Sequence, residues 1–551
     1  MTRRAPVLLA LISGIALAAL SVADRSIPAG AQAFGSTRTV SVDYTNAMGA
    51  FNPYVFGTLA APYFDAAGYP LTQAAGFKMV EVGMNIPLPA NPNDPAQYDF
   101  SALDQQVSAV LGLGAEPMIV FSRSTRPPDL ALYATYAQNV ARHLTQGWGS
   151  GYSWNVKLFR FGNEPDGGVY WTGTQQAFFD TYGAWALALK AVNAAFVLDT
   201  PALARARTGP TSLNTWVTGF LSYSQTNGVP VDFFSIHAYS PVPYYAYYDD
   251  FRLVQAELQK YPNLSPLYGT PRLANDEWNT MVGDLWSGSY HAQFDTAWVA
   301  AHNIVALIDM VEQGLQLSIR YGGTFNGGTG GCHDFLLTDC TGAGKPAYYA
   351  FKGFNQLAGA TRLSTTGSDH MNFAAMAGKS ADQVVVVLSN YNVATYMSQY
   401  EPPGRPAWAS YNAYVSQFGV PAVYDSFALN LTNLPWTASD SITYERYVVD
   451  DQQQLALVET QQMGGSSTLA FTKAMTAPSV QVVRLTRAAA STPAPAPSVG
   501  GVAEPPDVIA LPARTDRSPG RSLAPYPVAI GMLATVLAVA ACGWYVYRKI
   551  T

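Results

Sequence analysis

The chain has little charge for its size. Asp, Glu, Lys and Arg make up 12% of its 551 residues, against 49% hydrophobic residues. That ratio excludes a self-repelling disordered chain and calls for large buried cores. Basic charge is not in excess either: the net charge is −6, so no electrostatic footprint for nucleic acid is present. Cysteine is scarce, with three in the whole chain, and none has the Cys/His spacing of a zinc site. No Gly-rich dinucleotide fingerprint follows any strand-like run, which argues against a doubly wound nucleotide-binding sheet.

What the chain does have is aromatic surface and length. Aromatics reach 13%, with 33 Tyr and 11 Trp. Most must fill cores, and a minority could stack on flat apolar ligand faces, sugar rings included. The length points to two or more domains. Residues 1–33 have the order of a signal peptide: Arg3 and Arg4, an apolar run, then A-Q-A at Ala31–Ala33. Near the other end, 526–547 form an uncharged run long enough to cross a bilayer, and Cys542 lies within it. Arg548 and Lys549 follow, so the positive-inside rule makes 548–551 a cytoplasmic tail and places the body of the protein outside the cell. The Pro-rich stretch 488–525 reads as a semi-extended stalk. The expectation is a single-pass cell-membrane protein with an extracellular body. In such a compartment Cys332 and Cys340 could close as a disulfide, or remain two free thiols. The N-L-T at Asn430 is a glycosylation sequon in a host that uses it.

Between these ends, strand-like runs alternate with helical stretches. N-P-Y-V-F-G-T-L opens the series. G-F-K-M-V-E-V-G-M, A-E-P-M-I-V-F-S, V-K-L-F-R-F-G-N-E and A-F-V-L-D-T-P follow. V-D-F-F-S-I-H-A-Y, P-R-L-A-N-D-E-W-N and L-S-I-R-Y-G-G complete eight. The fold expected is an α/β protein, a (β/α)8 TIM barrel over 34–360. The grammar then changes to strands joined by turns, so 361–487 reads as a β-sandwich accessory domain.

Catalytic groups of such barrels sit at the C-terminal ends of strands. Glu164, in N-E-P, ends the fourth run, and Glu277, in D-E-W-N, ends the seventh. Facing carboxylates at this position are the apparatus of a glycosidase. These motifs, in this order, resemble clan A of the glycoside hydrolases. F-S-I-H-A-Y on strand six, K-P-A-Y-Y-A-F after strand eight and the trailing β-sandwich are most similar to glycoside hydrolase family 39. That family includes β-xylosidases, α-L-iduronidases and exopolysaccharide hydrolases. The resemblance covers roughly residues 50–487.

It implies a retaining O-glycosyl hydrolase acting on an oligo- or polysaccharide, without cofactor or metal. Glu164 would be the acid/base and Glu277 the nucleophile. Asn163 would hydrogen-bond the sugar 2-hydroxyl, and His237 and Tyr239 would be the strand-six pair beside the nucleophile. Trp278 would be either a subsite wall or barrel packing. Two other classes remain in competition: a transglycosylase with the same glutamates, and an inactive carbohydrate-binding surface protein. In one respect the chain departs from the family. An Arg usual late in strand two is Glu81 here, and a Glu usual four residues before the acid/base is Arg160. Period two places 160 on the same strand face as 162 and 164. A reversed ion pair, Glu81 with Arg160, is therefore expected inside the barrel, since either charge buried alone would be strongly unfavourable. If the usual Arg keeps the nucleophile ionised, then Arg123, Arg160 or Arg320 would have to do so.

Overall fold

The computed structural model describes residues 36–59, 69–280, 292–324, 335–339, 341–394, 397 and 406–488. The signal peptide, the linker beyond residue 488, the membrane run 526–547, the tail and all three cysteines lie outside them. Among the described residues no helix is long and apolar enough to cross a membrane.

Eight parallel strands form the first body. In chain order they are Gly57–Leu59, Met79–Gly83, Glu116–Phe121, Leu158–Phe161, Val197–Leu203, Phe233–Ile236, Arg272–Asn279 and Leu315–Arg320. Each pairs with the next, and the eighth pairs with both the seventh and the first, which closes the barrel. Helices return the chain between strands, some with clear local start and stop signals. Helix Leu130–Gln146 starts at Asp129, whose carboxylate accepts from the amides of Ala131 and Leu132, and stops at Gly147 in the left-handed region.

The barrel interior is layered. Its floor is apolar and includes Met79, Met118, Leu158, Val197, Phe233, Ala274 and Leu317. Two residues further along four of these strands stand Glu81, Arg160, Asp199 and Asp276, all buried. Strand periodicity thus sets a charged layer directly above the apolar one and below the mouth.

The second body is one nine-stranded sheet that curls over itself. Its order is Gln454–Gly464, Ser441–Val449, Ser479–Arg487, Gln383–Asn390, Phe373–Lys379, Thr361–Thr366, Ser36–Ala50, Tyr424–Thr432, Leu469–Ala474. Its two edges meet: Lys473 on one edge strand pairs with Glu459 on the other, and Tyr444 stacks on Phe471 at 4.6 Å. The expected boundary at residue 34 needs correction here, because Ser36–Ala50 does not belong to the barrel. It runs parallel to Tyr424–Thr432 and antiparallel to Thr361–Thr366. Val40 and Val42 point into the second core while their neighbours do not, which is the alternation of a half-covered strand.

Helix Ala297–Glu312 joins the two bodies. Every residue from Ala297 to Val311 is buried, because the barrel covers one side and the second sheet the other. Ser389 of the sheet donates to the Ala301 carbonyl at 2.8 Å. Near the helix end Asp309 is buried, and burial first, then nearby Asp369, lift its carboxyl to about 6 against the opposing pull of His370. His370, from the second body, meets it at 2.9 Å under the stacked ring of Tyr248.

Candidate active site

Glu164 follows strand four through a sharp reversal. Gly162 has φ +89°, and a Cβ there would lie 2.8 Å and 2.9 Å from the Phe178 ring. That ring cannot retreat, being packed by Phe161, Trp171 and Trp216. Glu164 itself has φ 41° and ψ 51°, a left-handed conformation costly for a side chain with a Cβ. Its amide donates to the Ala202 carbonyl at 2.8 Å. Asp166, two residues on, accepts from the Ala204 amide and from Asn214 Nδ2, each at 2.8 Å. Neighbouring loops thus hold the strained turn in place. Gly162→Ala is expected to lose roughly 1–3 kcal/mol of stability and about 100-fold in turnover through misplacement of Glu164. Thermal melts and steady-state rates on one preparation would check both.

Glu277 is positioned by an irregular register. Ser318 of strand eight lies opposite Asn275, and Arg320 opposite Trp278. Three steps on strand seven therefore match two on strand eight, the signature of a bulge. The extra residue lets consecutive side chains Asp276 and Glu277 both turn inward. Tyr239 OH donates to Glu277 Oε1 at 2.8 Å. His237 Nδ1 meets Glu164 Oε1 at 2.8 Å. One oxygen each of Glu164 and Glu277 and one His237 nitrogen all lie within 4.8 Å of one another. The same three groups could each offer an atom to a cation, but a paired-carboxylate reaction requires none.

Beneath them Arg160 is the hub. Nη1 donates to Glu81 Oε2 at 2.9 Å, Nη2 donates to Asn163 Oδ1 at 2.7 Å, and Nε forms an ion pair with Asp276 Oδ2. The exchanged residues thus meet in a buried ion pair, with side chains 2% and 8% exposed. Asn163 gives its oxygen to Arg160, which leaves its amide NH2 for a ligand hydroxyl. Burial opposes every charge in this layer, and the neighbours decide the outcome. Glu81 is pushed up to about 7 by burial, against the pull of Arg160. Burial and the Asp276 charge push Asp199 well up. Asp276 feels the same burial, but Arg160 and His237 outweigh it and hold its carboxyl below the usual range. Burial would depress His237, yet Glu277, Asp276 and the bond to Glu164 raise it well above the ordinary imidazole value. Glu277 is raised, chiefly by burial, with His237 opposing.

Trp278 needs correction as a substrate contact. It is fully buried on the helix side of strand seven, donates Nε1 to Ser318 Oγ at 2.8 Å and packs against Tyr247 and Phe351. The bulge turns Asp276 and Glu277 in together, so Trp278 faces out. Among the three arginines considered for the nucleophile, only Arg160 takes part. Arg123 lies over the Tyr133 ring, and Arg320 spends its donors on Asn303 and on the carbonyls of Tyr321, Gly322 and Phe335. Burial pushes Arg320 down to about 9. Sequence reasoning passed over Asp276 and Asp199. Their signal was an acid two residues above an apolar floor position, in N-D-E and V-L-D.

A closed parallel barrel with two strand-end glutamates converging at its mouth is the architecture of an O-glycosyl hydrolase. Residues 107–399, more than half of the chain, match the family model "Glycosyl hydrolases family 39", and the chain belongs to that family. A β-xylosidase of Caldicellulosiruptor saccharolyticus is 23% identical over 344 residues, which are 54% of this chain and 64% of that protein. The match therefore spans just under two thirds of that relative. Among solved structures, a glucosidase from Croceicoccus marinus superposes with a TM-score of 0.64 at 24% identity, over 82% of this chain and 99% of the other. A monomeric β-xylosidase from Caulobacter crescentus does so with a TM-score of 0.58 at 17% identity, over 82% and 100%. At these identities the superpositions establish the shared fold.

Proposed function

We propose that the chain is a retaining glycoside hydrolase that cleaves β-xylosides or β-glucosides by double displacement. The observation that carries this reading is the approach of Glu164 and Glu277 oxygens to within 4.8 Å. Retaining enzymes hold their carboxyl groups about 5–5.5 Å apart, and inverting enzymes leave roughly 6.5–9.5 Å for a water molecule. Glu277 attacks the anomeric carbon while Glu164 protonates the departing oxygen. Glu164 then takes a proton from the water that releases the sugar. The choice of xyloside or glucoside follows the names of the relatives and structural neighbours. The charge pattern of residues 1–33 and 526–551 further supports an enzyme exported and tethered to the outer face of the cell membrane.

The test is proton NMR of the full chain acting on 4-nitrophenyl β-xyloside and β-glucoside. The β-anomer of the free sugar should appear first and mutarotate later. Initial release of the α-anomer would refute double displacement, and no release from either glycoside would refute the substrate class.

A further inference from the structure

Asp276 belongs neither to the carboxylate pair nor to the exchanged ion pair, yet it faces Arg160 of the latter and the histidine that meets Glu164 of the former. It is completely buried, and its two oxygens are divided. Oδ2 pairs with Arg160 Nε, and Oδ1 lies 3.3 Å from His237 Nε2. The other nitrogen of His237 meets Glu164 at 2.8 Å. A continuous line therefore runs from Arg160 through Asp276 and His237 to Glu164. The geometry points to Asp276 as the positioning residue of the acid/base Glu164, acting through His237. This assignment rests on the acid/base role given to Glu164 above.

The reasoning is electrostatic. Arg160 Nη2 stands 3.3 Å from His237 Nε2. A guanidinium only donates. Facing it alone, Nε2 would have to keep a lone pair, and the ring would be neutral. Asp276 supplies what that arrangement lacks, an anion able to accept from Arg160 and from a protonated Nε2 at once. With both nitrogens protonated, Nδ1–H is committed to the Glu164 oxygen, and the ring cannot turn without breaking that bond and separating Nε2–H from the Asp276 charge at 3.3 Å. Glu81 faces Arg160 from strand two, and Asp199 adds to its surroundings from strand five. Neither forms an ion pair with His237 among the described residues, so of the three layer acids Asp276 is the one that faces the histidine. The bulge in strand seven is what makes this arrangement possible, because a regular strand would send Asp276 and Glu277 to opposite faces.

Asp276→Asn keeps the shape and removes the charge. A residue that acts through the acid/base matters most when the leaving group needs a proton. The variant should lose roughly 100-fold in kcat/KM on xylobiose or cellobiose, within the range of a general-acid contribution. On 2,4-dinitrophenyl glycosides, whose leaving group departs unprotonated, kcat/KM should change less than about 5-fold by the same reasoning. Equal losses on both would mean a structural role and overturn the assignment.

A second readout needs no turnover. Full-length protein labelled with 15N-histidine contains six histidines, and His237→Gln identifies the signal. At pH 7 the wild-type His237 signal should show both nitrogens protonated, and Asp276→Asn should convert it to a neutral ring. A neutral wild-type ring, or one unchanged in the variant, overturns the proposal even if the variant folds poorly. If the wild type hydrolyses none of these glycosides, the glycosidase reading fails, while the histidine spectra still report on the Asp276–His237 contact.

Discussion

Glu277→Gln is expected to lower turnover by a factor on the order of 10⁴ or more, the scale of losing a nucleophile. The loss should be nearly the same for every leaving group, because no glycosyl-enzyme forms in either case. Tyr239 OH donates to Glu277 Oε1 at 2.8 Å, so in the proposed mechanism Oε2 is the oxygen left to attack. Gln would retain that hydrogen bond and the volume, so the fold should survive. Glu164→Gln should behave differently. On poor leaving groups it should lose about 10²–10⁴-fold. On dinitrophenyl glycosides the first step should persist and deglycosylation become limiting, because no base activates water. Added azide should then restore turnover as a glycosyl azide of retained configuration. Mass spectrometry after exposure to a 2-deoxy-2-fluoro glycoside gives the complementary check. The wild type should gain one sugar mass on Glu277, and Glu277→Gln none. A sugar attached elsewhere, or azide rescue of Glu277→Gln with retained configuration, would reverse or remove the assigned roles.

The legibility of this site in the sequence divides along a physical line. Features set by local period were readable. Strand-end glutamates in N-E-P and D-E-W-N stand out because a charge closes an apolar run. The meeting of Glu81 with Arg160 could be anticipated because both charges of a pair usual in the resembling family are exchanged at once, and either one buried alone would be strongly unfavourable. Features set by pairing were not readable. The bulge in strand seven exists only relative to strand eight, so nothing in A-N-D-E-W-N announces that Asp276 and Glu277 share a face. The choice between subsite wall and packing for Trp278 stayed open for the same reason: its direction depends on that extra residue. Ser36–Ala50 was placed in the barrel because it precedes it in the chain, whereas its partners lie beyond residue 360. Long-range strand pairing leaves no local mark of which strand the partner is. What it did leave was an alternation, Val40 and Val42 in and their neighbours out, unlike the doubly buried barrel strands.

Arg160→Met should be the most destabilising single change in the barrel, costing about 3–5 kcal/mol. Met fills much of the same space, so the loss is mainly electrostatic. Arg160 is the cation that faces Glu81 and Asp276 and lies near Asp199, all buried. Without it these carboxyls can remain buried only by holding protons. Glu81, already at about 7, and Asp199, already well raised, would climb further above their unfolded values, and Asp276, held low chiefly by Arg160, would rise. An acid raised on folding contributes stability that is present below its unfolded pKa and lost as pH rises toward its folded one. The unfolded carboxyls titrate at about pH 4, so the variant's deficit should be smaller at pH 5 than at pH 8, where it should be greatest. Glu81→Gln should be much milder, at about 1 kcal/mol or less, because Asp276 still balances Arg160 and a carboxyl near pKa 7 is already half neutral at neutral pH. Urea unfolding of both variants at pH 5 and pH 8 reads the contrast. Equal, pH-independent losses would mean that shape rather than charge holds the layer together. The opposite slope, with Arg160→Met worst at pH 5, would mean that the carboxyls are ionised in the native barrel and that a different cation balances them.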